Sequence, residues 1–363
     1  MDPLPDETIS GDGLLLRPPR AEDAGDLAAA CADPVLERCI PRLPGTADAA
    51  RWIAEAGSAP DRRELIVADA GTGRVVGGCR LYHLSALDRS GEIGYWVAPW
   101  ARGQRVATRA ATTLTGWAFQ HGLGRLEVLT RPDNPASQRV AIAAGYRWEG
   151  RRRGAGYGPD GQRDDLTVWA RLAGDPPGPS PRTLPDLPDG RLSDGIIELR
   201  RLGPADTADL VVLRALPEVV ATTVGAGAID IARICAEAES EWLAGGAVRM
   251  TVRDAPSGAL AGEIGMFQIE PPTGQAMIGY DLLPAWRGRG YATRAVRLLA
   301  GWAFAHAGIA RLIAGTAPEN LASQRVLERA GFHREGYQRA RLPGPAGTRI
   351  DDILYALLPQ EGR

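Results

Sequence analysis

Residues 93–119 read IGYWVAPWARGQRVATRAATTLTGWAF, and residues 278–304 read IGYDLLPAWRGRGYATRAVRLLAGWAF. Fifteen of these 27 aligned positions are identical, without a gap. A second block follows after one inserted residue, NPASQRVAIAAGYRWEG at 134–150 against NLASQRVLERAGFHREG at 320–336. Leu16-Arg17 and Asp23 keep order with Leu199-Arg200 and Asp206, and Asp164-Asp165 with Asp351-Asp352. A period this long is duplication of a whole domain rather than a solenoid repeat, and 363 residues accommodate two cores.

Between the copies, residues 172–190 read LAGDPPGPSPRTLPDLPDG, with six prolines from Pro176 to Pro188. Proline fixes φ and removes a donor, so this stretch is expected as a semi-rigid extended connector. The expected organisation is a domain over 1–172, a linker over 173–190 and a second domain over 191–363.

Each copy repeats one order of elements. Strands at Leu14–Arg17 and Ile196–Arg200 precede a helix opened by acidic residues. Strands around 65–68 and 75–84 have counterparts at 248–252 and 260–269, and a β-rich run ends at Pro99 or Pro284. After a Gly/Arg loop come a long helix (108–121; 293–306), a strand (126–130; 312–315), another helix and closing strands. The fold class is therefore α/β (α+β), each copy a mixed sheet flanked by helices.

Composition narrows the function classes. The chain is 44% hydrophobic and 24% charged with a formal net charge of −2, which argues against nonspecific nucleic-acid binding. Arg151-Arg152-Arg153, the dense basic run, reads as a solvated loop. Cys31, Cys39, Cys79 and Cys235 form no CxxC pair, and with four histidines they offer no metal-ligand spacing, so no metal is expected. The acidic N-terminus MDPLPDETIS is not a signal peptide. No run of ~18 apolar residues exists to span a membrane. A cytoplasmic location is the default expectation.

In the second copy the junction runs Pro284-Ala285-Trp286-Arg287-Gly288-Arg289-Gly290-Tyr291-Ala292-Thr293. A helix start exposes unpaired N–H groups and the positive dipole end, which suits phosphate. Gly288 and Gly290 let backbone approach a pyrophosphate closely, and a small residue at 292 avoids crowding it. Arg287 and Arg289 can add charge-assisted contacts. The loop lacks GK[ST] and the full GxGxxG, so it matches neither a nucleotide P-loop nor a dinucleotide fold.

The pattern R-x-x-G-x-A followed by N-x-x-S-x-x-V…A-G-F, occurring twice and in order, resembles the GNAT N-acyltransferases. It is most similar to the branch containing ribosomal-protein N-terminal acetyltransferases. The resemblance implies that Arg287, Gly288, Arg289, Gly290, Tyr291 and Ala292 hold the diphosphate of acetyl-CoA or another acyl-CoA, with Thr293 beginning the helix. It implies that strand 278–283 pairs with the pantetheine arm and that backbone near Leu282 and Leu283 polarises the acyl carbonyl. Asn320 and Ser323 match the later motif, Ser323 as proton donor to the leaving thiolate. Asn before a helix is also a preferred N-cap. Corresponding first-copy positions are Val97, Arg102, Gly103, Ala107, Asn134 and Ser137. The implied reaction is direct transfer to a primary amine of a small molecule or a protein N-terminus. It involves no metal, nucleic acid or membrane.

The copies differ at the decisive positions. Arg105 stands where the second copy has Gly290, which predicts weakened cofactor binding in the first. Glu92, the place of a proposed general base in relatives, is Met277 in the second copy. Its nearest acids there are Asp281 on the same strand and Glu263 on the preceding one, and period-2 alternation puts 277, 279 and 281 on one face. The second copy is expected to be the active one. The alternative is a noncatalytic or regulatory acyl-CoA-binding protein. The paired domains would suit a dimer mimic within one chain, and association between chains is left open. His121 and His306 read as C-terminal helix caps, and Trp117, Trp302, Phe119 and Phe304 as core. Segments 31–60 and 216–245, which would shape the acceptor pocket, carry no readable motif.

Overall fold

A computed structural model describes residues 4–39, 49–56, 62–158, 161–222, 230–344 and 348–359. The chain divides into two compact units, Met1–Pro181 and Arg182–Arg363.

The N-terminal unit contains β1 (Ile9–Gly11), β2 (Leu14–Arg17), α1 (Ala24–Cys31), α2 (Pro34–Cys39), α3 (Ala49–Glu55), β3 (Arg63–Asp69), β4 (Val75–Ser85) and β5 (Ser90–Val97). It continues with α4 (Val106–Gln120), β6 (Arg125–Thr130), α5 (Pro135–Ala143), β7 (Arg147–Tyr157) and β8 (Arg163–Leu172). Its eight-stranded sheet has the order β1-β2-β3-β4-β5-β6-β8-β7.

The C-terminal unit runs β9 (Arg191–Ser193), β10 (Ile197–Arg201), α6 (Thr207–Arg214), α7 (Pro217–Thr222), α8 (Ile231–Leu243), β11 (Val248–Asp254), β12 (Leu260–Glu270) and β13 (Gln275–Leu282). It closes with α9 (Tyr291–His306), β14 (Arg311–Thr316), α10 (Leu321–Ala330), β15 (His333–Pro343) and β16 (Arg349–Leu357). Its sheet order, β9-β10-β11-β12-β13-β14-β16-β15, reproduces that of the first unit. Both copies therefore share the α/β topology that the duplicated blocks imply.

Strand alternation decides where the core lies. Val248, Met250 and Val252 of β11, Ile264 and Met266 of β12, and Ala276 and Ile278 of β13 face one side. That side is covered by α9, whose Ala295, Val296, Leu299, Trp302 and Ala303 recur at helical spacing and are buried. The intervening residues Arg249, Glu263, Gly265, Phe267, Met277, Gly279 and Asp281 look to the other side and line a cavity. A smaller cluster of Leu210, Leu213, Val219, Cys235 and Ala238 ties α6, α7 and α8 together.

Three local expectations change. The long helices begin at Val106 and Tyr291, two residues before Thr108 and Thr293. The cause is a left-handed residue, Arg105 or Gly290, that turns the chain directly into the helix. The basic run 151–153 lies within edge strand β7 instead of a loop, where Glu127 accepts from Arg152 and Asp165 pairs with Arg151. The proline-rich stretch is docked at both ends. The Ser180 N–H donates to Ile142 O (2.9 Å), and its hydroxyl donates to Tyr146 O (2.7 Å). Leu184 is fully buried in the second unit, where the Trp242 indole donates to Pro185 O (3.0 Å).

Candidate functional site

Within each sheet the two central parallel strands part company. β13 pairs with β14 only from Gln275↔Arg311 to Met277↔Ile313, yet it continues beside β12 to Leu282. β5 and β6 behave alike, pairing only from Ser90↔Arg125 to Glu92↔Glu127. Beyond Met277 one edge of β13 faces a cleft, a template for an extended ligand.

The direction of each backbone group follows from the ladder. The Leu283 N–H donates to Ala261 O (2.9 Å), so antiparallel alternation turns the N–H and C=O of Leu282 and Tyr280 away from β12, toward the cleft. The expectation for this strand end therefore splits. Leu282 presents its amide to the cleft, and Leu283 does not, because its N–H is already engaged. In the first unit Ala98 N–H likewise donates to Val76 O (3.0 Å), leaving Val97 oriented as Leu282 is.

At the end of this strand the chain makes one 3-10 turn, Pro284–Trp286, and enters α9. Gly290 is left-handed (φ +80), no side chain caps the helix, and the first helical bond runs from Arg294 N–H to Gly290 O. Among the described residues the amides of Tyr291, Ala292 and Thr293 have no partner. A Cβ placed on Gly288 or Gly290 would meet nothing within 4 Å, so open space lies over this turn. Unpartnered amides at a positive helix end, beside open backbone, fit a diphosphate. The two arginines of the loop are turned elsewhere: Arg287 Nε donates to Leu282 O (2.9 Å), and Arg289 lies over the Trp286 ring (5.3 Å).

The first-unit turn has the same backbone with different side chains. Arg105 occupies the left-handed position (φ 57) and Gly103 is also left-handed (φ +77). Arg102 is clamped on Asp33 through two bonds (2.7 and 3.2 Å), while the Asp33 carboxylate also caps α2 at Val35 and Leu36. Ala107 sits in the uncapped first turn of α4.

Asn320 caps α10, its side chain accepting the Ser323 N–H (3.1 Å), and Asn134 does the same for Ser137 (3.2 Å). Sequence reasoning did not single out their neighbour. The Tyr280 hydroxyl lies 2.9 Å from Ser323 Oγ, and Tyr95 lies 3.1 Å from Ser137 Oγ. Burial pushes the Tyr280 pKa up to about 12 while the Ser323 bond partly opposes it, so the phenol keeps its proton at neutral pH. The signal was the tyrosine shared by both IGY motifs, but its partner lies 43 residues away in sequence.

The opposite face of β12 and β13 carries the cavity, of about 670 Å³, lined by Arg214, Arg249, Glu263, Phe267, Met277, Asp281 and Arg341 among others. Glu263 and Asp281 are direct cross-strand partners. Arg214 pairs with Glu263 at 2.5 Å, whereas among the described residues nothing hydrogen-bonds or ion-pairs with the Asp281 carboxylate. Burial, then the Glu263 charge, push the Asp281 pKa up to about 6, against partial relief from Arg214 and Arg287. In the first unit the matching register pair is Gly78↔Trp96, with the indole packed where a Cβ on residue 78 would stand. Glu92 does lie on this strand, and His83 Nδ1 contacts it at 3.0 Å.

Among the described residues no cluster of His, Cys, Asp or Glu could hold a metal, and no helix is long and apolar enough to cross a membrane. Asp165 and Asp351 serve their hairpins by accepting the N–H groups of Gly154 and Ala340.

The Acetyltransferase (GNAT) domain family matches the chain twice, over residues 13–147 and 197–333. Probable N-acetyltransferase YjcK of Bacillus subtilis (strain 168) is 46% identical over 103 residues, covering 28% of this chain and 57% of that protein. The ribosomal-protein-serine acetyltransferase of Escherichia coli (strain K12) is 31% identical over 99 residues, covering 27% of this chain and 55% of its own length. The chain thus spans little more than half of these relatives. Among solved structures, Mycobacterium smegmatis RimJ in complex with CoA-disulfide matches with a TM-score of 0.42 at 23% identity, over 47% of this chain and 86% of that one.

Proposed function

The chain belongs to the GNAT acetyltransferase family through both of its domains, and from that premise we propose that its C-terminal domain transfers an acyl group from acyl-CoA, acetyl-CoA in the first instance, directly to a primary amine. One observation carries this reading: the unpartnered amides of Tyr291, Ala292 and Thr293 at the mouth of the cleft where β13 leaves β14. Acyl-CoA supplies an activated thioester there. Gly288, Gly290 and the first-turn amides hold its diphosphate, and the free edge of β13 aligns its amide-bearing arm. In this reading the Leu282 N–H donates to the acyl oxygen as negative charge develops. Asp281 takes one proton from the acceptor ammonium, freeing the nitrogen lone pair to attack the thioester carbon, and the nitrogen gives up its second proton to the Tyr280–Ser323 hydroxyls as the tetrahedral adduct collapses. When the S–C bond breaks, the Tyr280 and Ser323 hydroxyls relay a proton to sulfur. Holding both reactants in line supplies much of the remaining acceleration.

For the N-terminal domain the same reasoning favours a noncatalytic part. Arg105 replaces Gly290, Trp96 replaces Asp281, and Glu92 is engaged by His83. A cytoplasmic setting accords with Cys31, Cys79 and Cys235 being free thiols.

The test is thiol release from acetyl-CoA over an amine panel, with the parent, Tyr280→Phe and Trp96→Asp. Turnover is expected in the parent, reduced at least tenfold in Tyr280→Phe and unchanged in Trp96→Asp. Acetyl-CoA binding without turnover on any amine would replace this reading with that of a regulatory acyl-CoA-binding protein.

A further inference from the structure

The charges around the C-terminal cavity do not cancel uniformly, and their arrangement bears on the acceptor. Three guanidinium groups line it. Arg214 is held by Glu263 (2.5 Å), Arg249 by Glu241 (2.7 Å) and Arg341 by Asp352 (3.2 Å). Asp352 is completely buried. The Arg249 guanidinium lies over the Phe267 ring, 5.0 Å from its centroid. Each guanidinium carries five donors. These pairings engage Nε of Arg249 and Nη1 of Arg341, and among the described residues the other N–H groups of both side chains have no partner. The carboxylate of the lining with no partner among the described residues is Asp281.

A ligand for this cavity therefore meets one unpaired anion and two oriented, donor-rich cations, with Phe267, Met277 and Leu342 as apolar wall. We propose that the acceptor is an amine that also bears a carboxylate, an amino acid or a small molecule built like one, its ammonium on Asp281 and its carboxylate on Arg249 and Arg341. This rests on the acyltransferase reading of the same site. Planar, two-point recognition by arginine suits a carboxylate, and the cavity volume lies within the usual small-molecule range of about 300–1,000 Å³. A polyamine would place its second cation against three guanidinium groups. A protein N-terminus would offer a neutral peptide carbonyl where the arginines ask for an anion. The arrangement is particular to this copy: Cys31, Glu64, Gly78 and Trp96 stand where the second has Arg214, Arg249, Glu263 and Asp281.

Thiol release from acetyl-CoA would be measured with the twenty amino acids, their carboxamides and spermidine, using full-length parent, Arg249→Met, Arg341→Met and the double variant Arg341→Met/Asp352→Asn. The double variant avoids leaving Asp352 buried without its cation. The expected result is at least one amino acid exceeding its carboxamide tenfold or more in kcat/KM. Arg249→Met and the double variant should then raise KM for the acid at least tenfold and leave the carboxamide within about twofold. Carboxamides or spermidine used as well as the acids, or an acid preference surviving both variants, would overturn the proposal while leaving acyl transfer intact. Absence of thiol release with every amine would instead remove the acyltransferase reading, and this inference with it.

Discussion

Asp281 has a folded-state pKa above the ordinary carboxylate value, pushed up to about 6 by burial and by Glu263. A raised carboxylate pKa means that the fold binds the proton more tightly than the unfolded chain does. The contribution of Asp281 to stability is thus fully present below about pH 4 and is lost as pH rises through about 6. Asp281→Asn removes an ionised, unpaired carboxylate and should stabilise the protein by about 1–2 kcal/mol at pH 7.5, with the gain vanishing near pH 4. Denaturant melts at both pH values would show this. The same variant should lose about 100-fold or more in kcat/KM, and the acid limb near pH 6 should disappear from its pH profile. An unchanged acid limb would move the base elsewhere. Asp281 was legible in the sequence because strand alternation alone puts it on the face of Met277 and Gly279. Tyr280 was not, because its meaning comes from a hydroxyl contact to Ser323 across the cleft. Arg214, Arg249 and Arg341 were equally hidden, since α6, β11 and β15 bring them to one cavity from distant parts of the chain.

The strand–turn–helix unit is the element that the repeated block identified most directly. Its glycines, loop and long amphipathic helix all stand where the pattern put them. What the pattern missed is the helix start, because a left-handed residue at position 105 or 290 lets the helix begin at once. Glycine adopts that conformation freely, whereas an L side chain is strained there by roughly 1 kcal/mol. Arg105→Gly should therefore be neutral to stabilising, by up to about 1 kcal/mol, despite adding a glycine. It should also clear the turn above α4, so that acetyl-CoA binding at the N-terminal domain appears or strengthens. Destabilisation by more than about 1 kcal/mol would mean that the Arg105 side chain contributes contacts outweighing its backbone strain. Edge strand β7 shows the opposite limit of sequence reading. Three consecutive arginines look like a loop, yet an exposed edge strand can carry charge on both faces when acids of neighbouring strands pair with it, as Asp165 does with Arg151 and Glu127 with Arg152.

At the scale of the whole chain, one topology has been kept twice while the chemistry along its cleft has diverged. Both copies retain the parted parallel strands, the left-handed turn, the Asn cap and the Tyr–Ser contact. They differ at the left-handed turn position, Arg105 against Gly290, and at the cross-strand pair, Gly78–Trp96 against Glu263–Asp281. On the proposed reading, the shared backbone with divergent side chains assigns the reaction to the C-terminal copy alone. Calorimetric titration of the full chain with acetyl-CoA, alongside Gly290→Glu, tests this most directly. One site per chain is expected, abolished when a carboxylate is placed over the amides of Tyr291–Thr293. Two equivalent sites, or binding that survives Gly290→Glu unchanged, would contradict it.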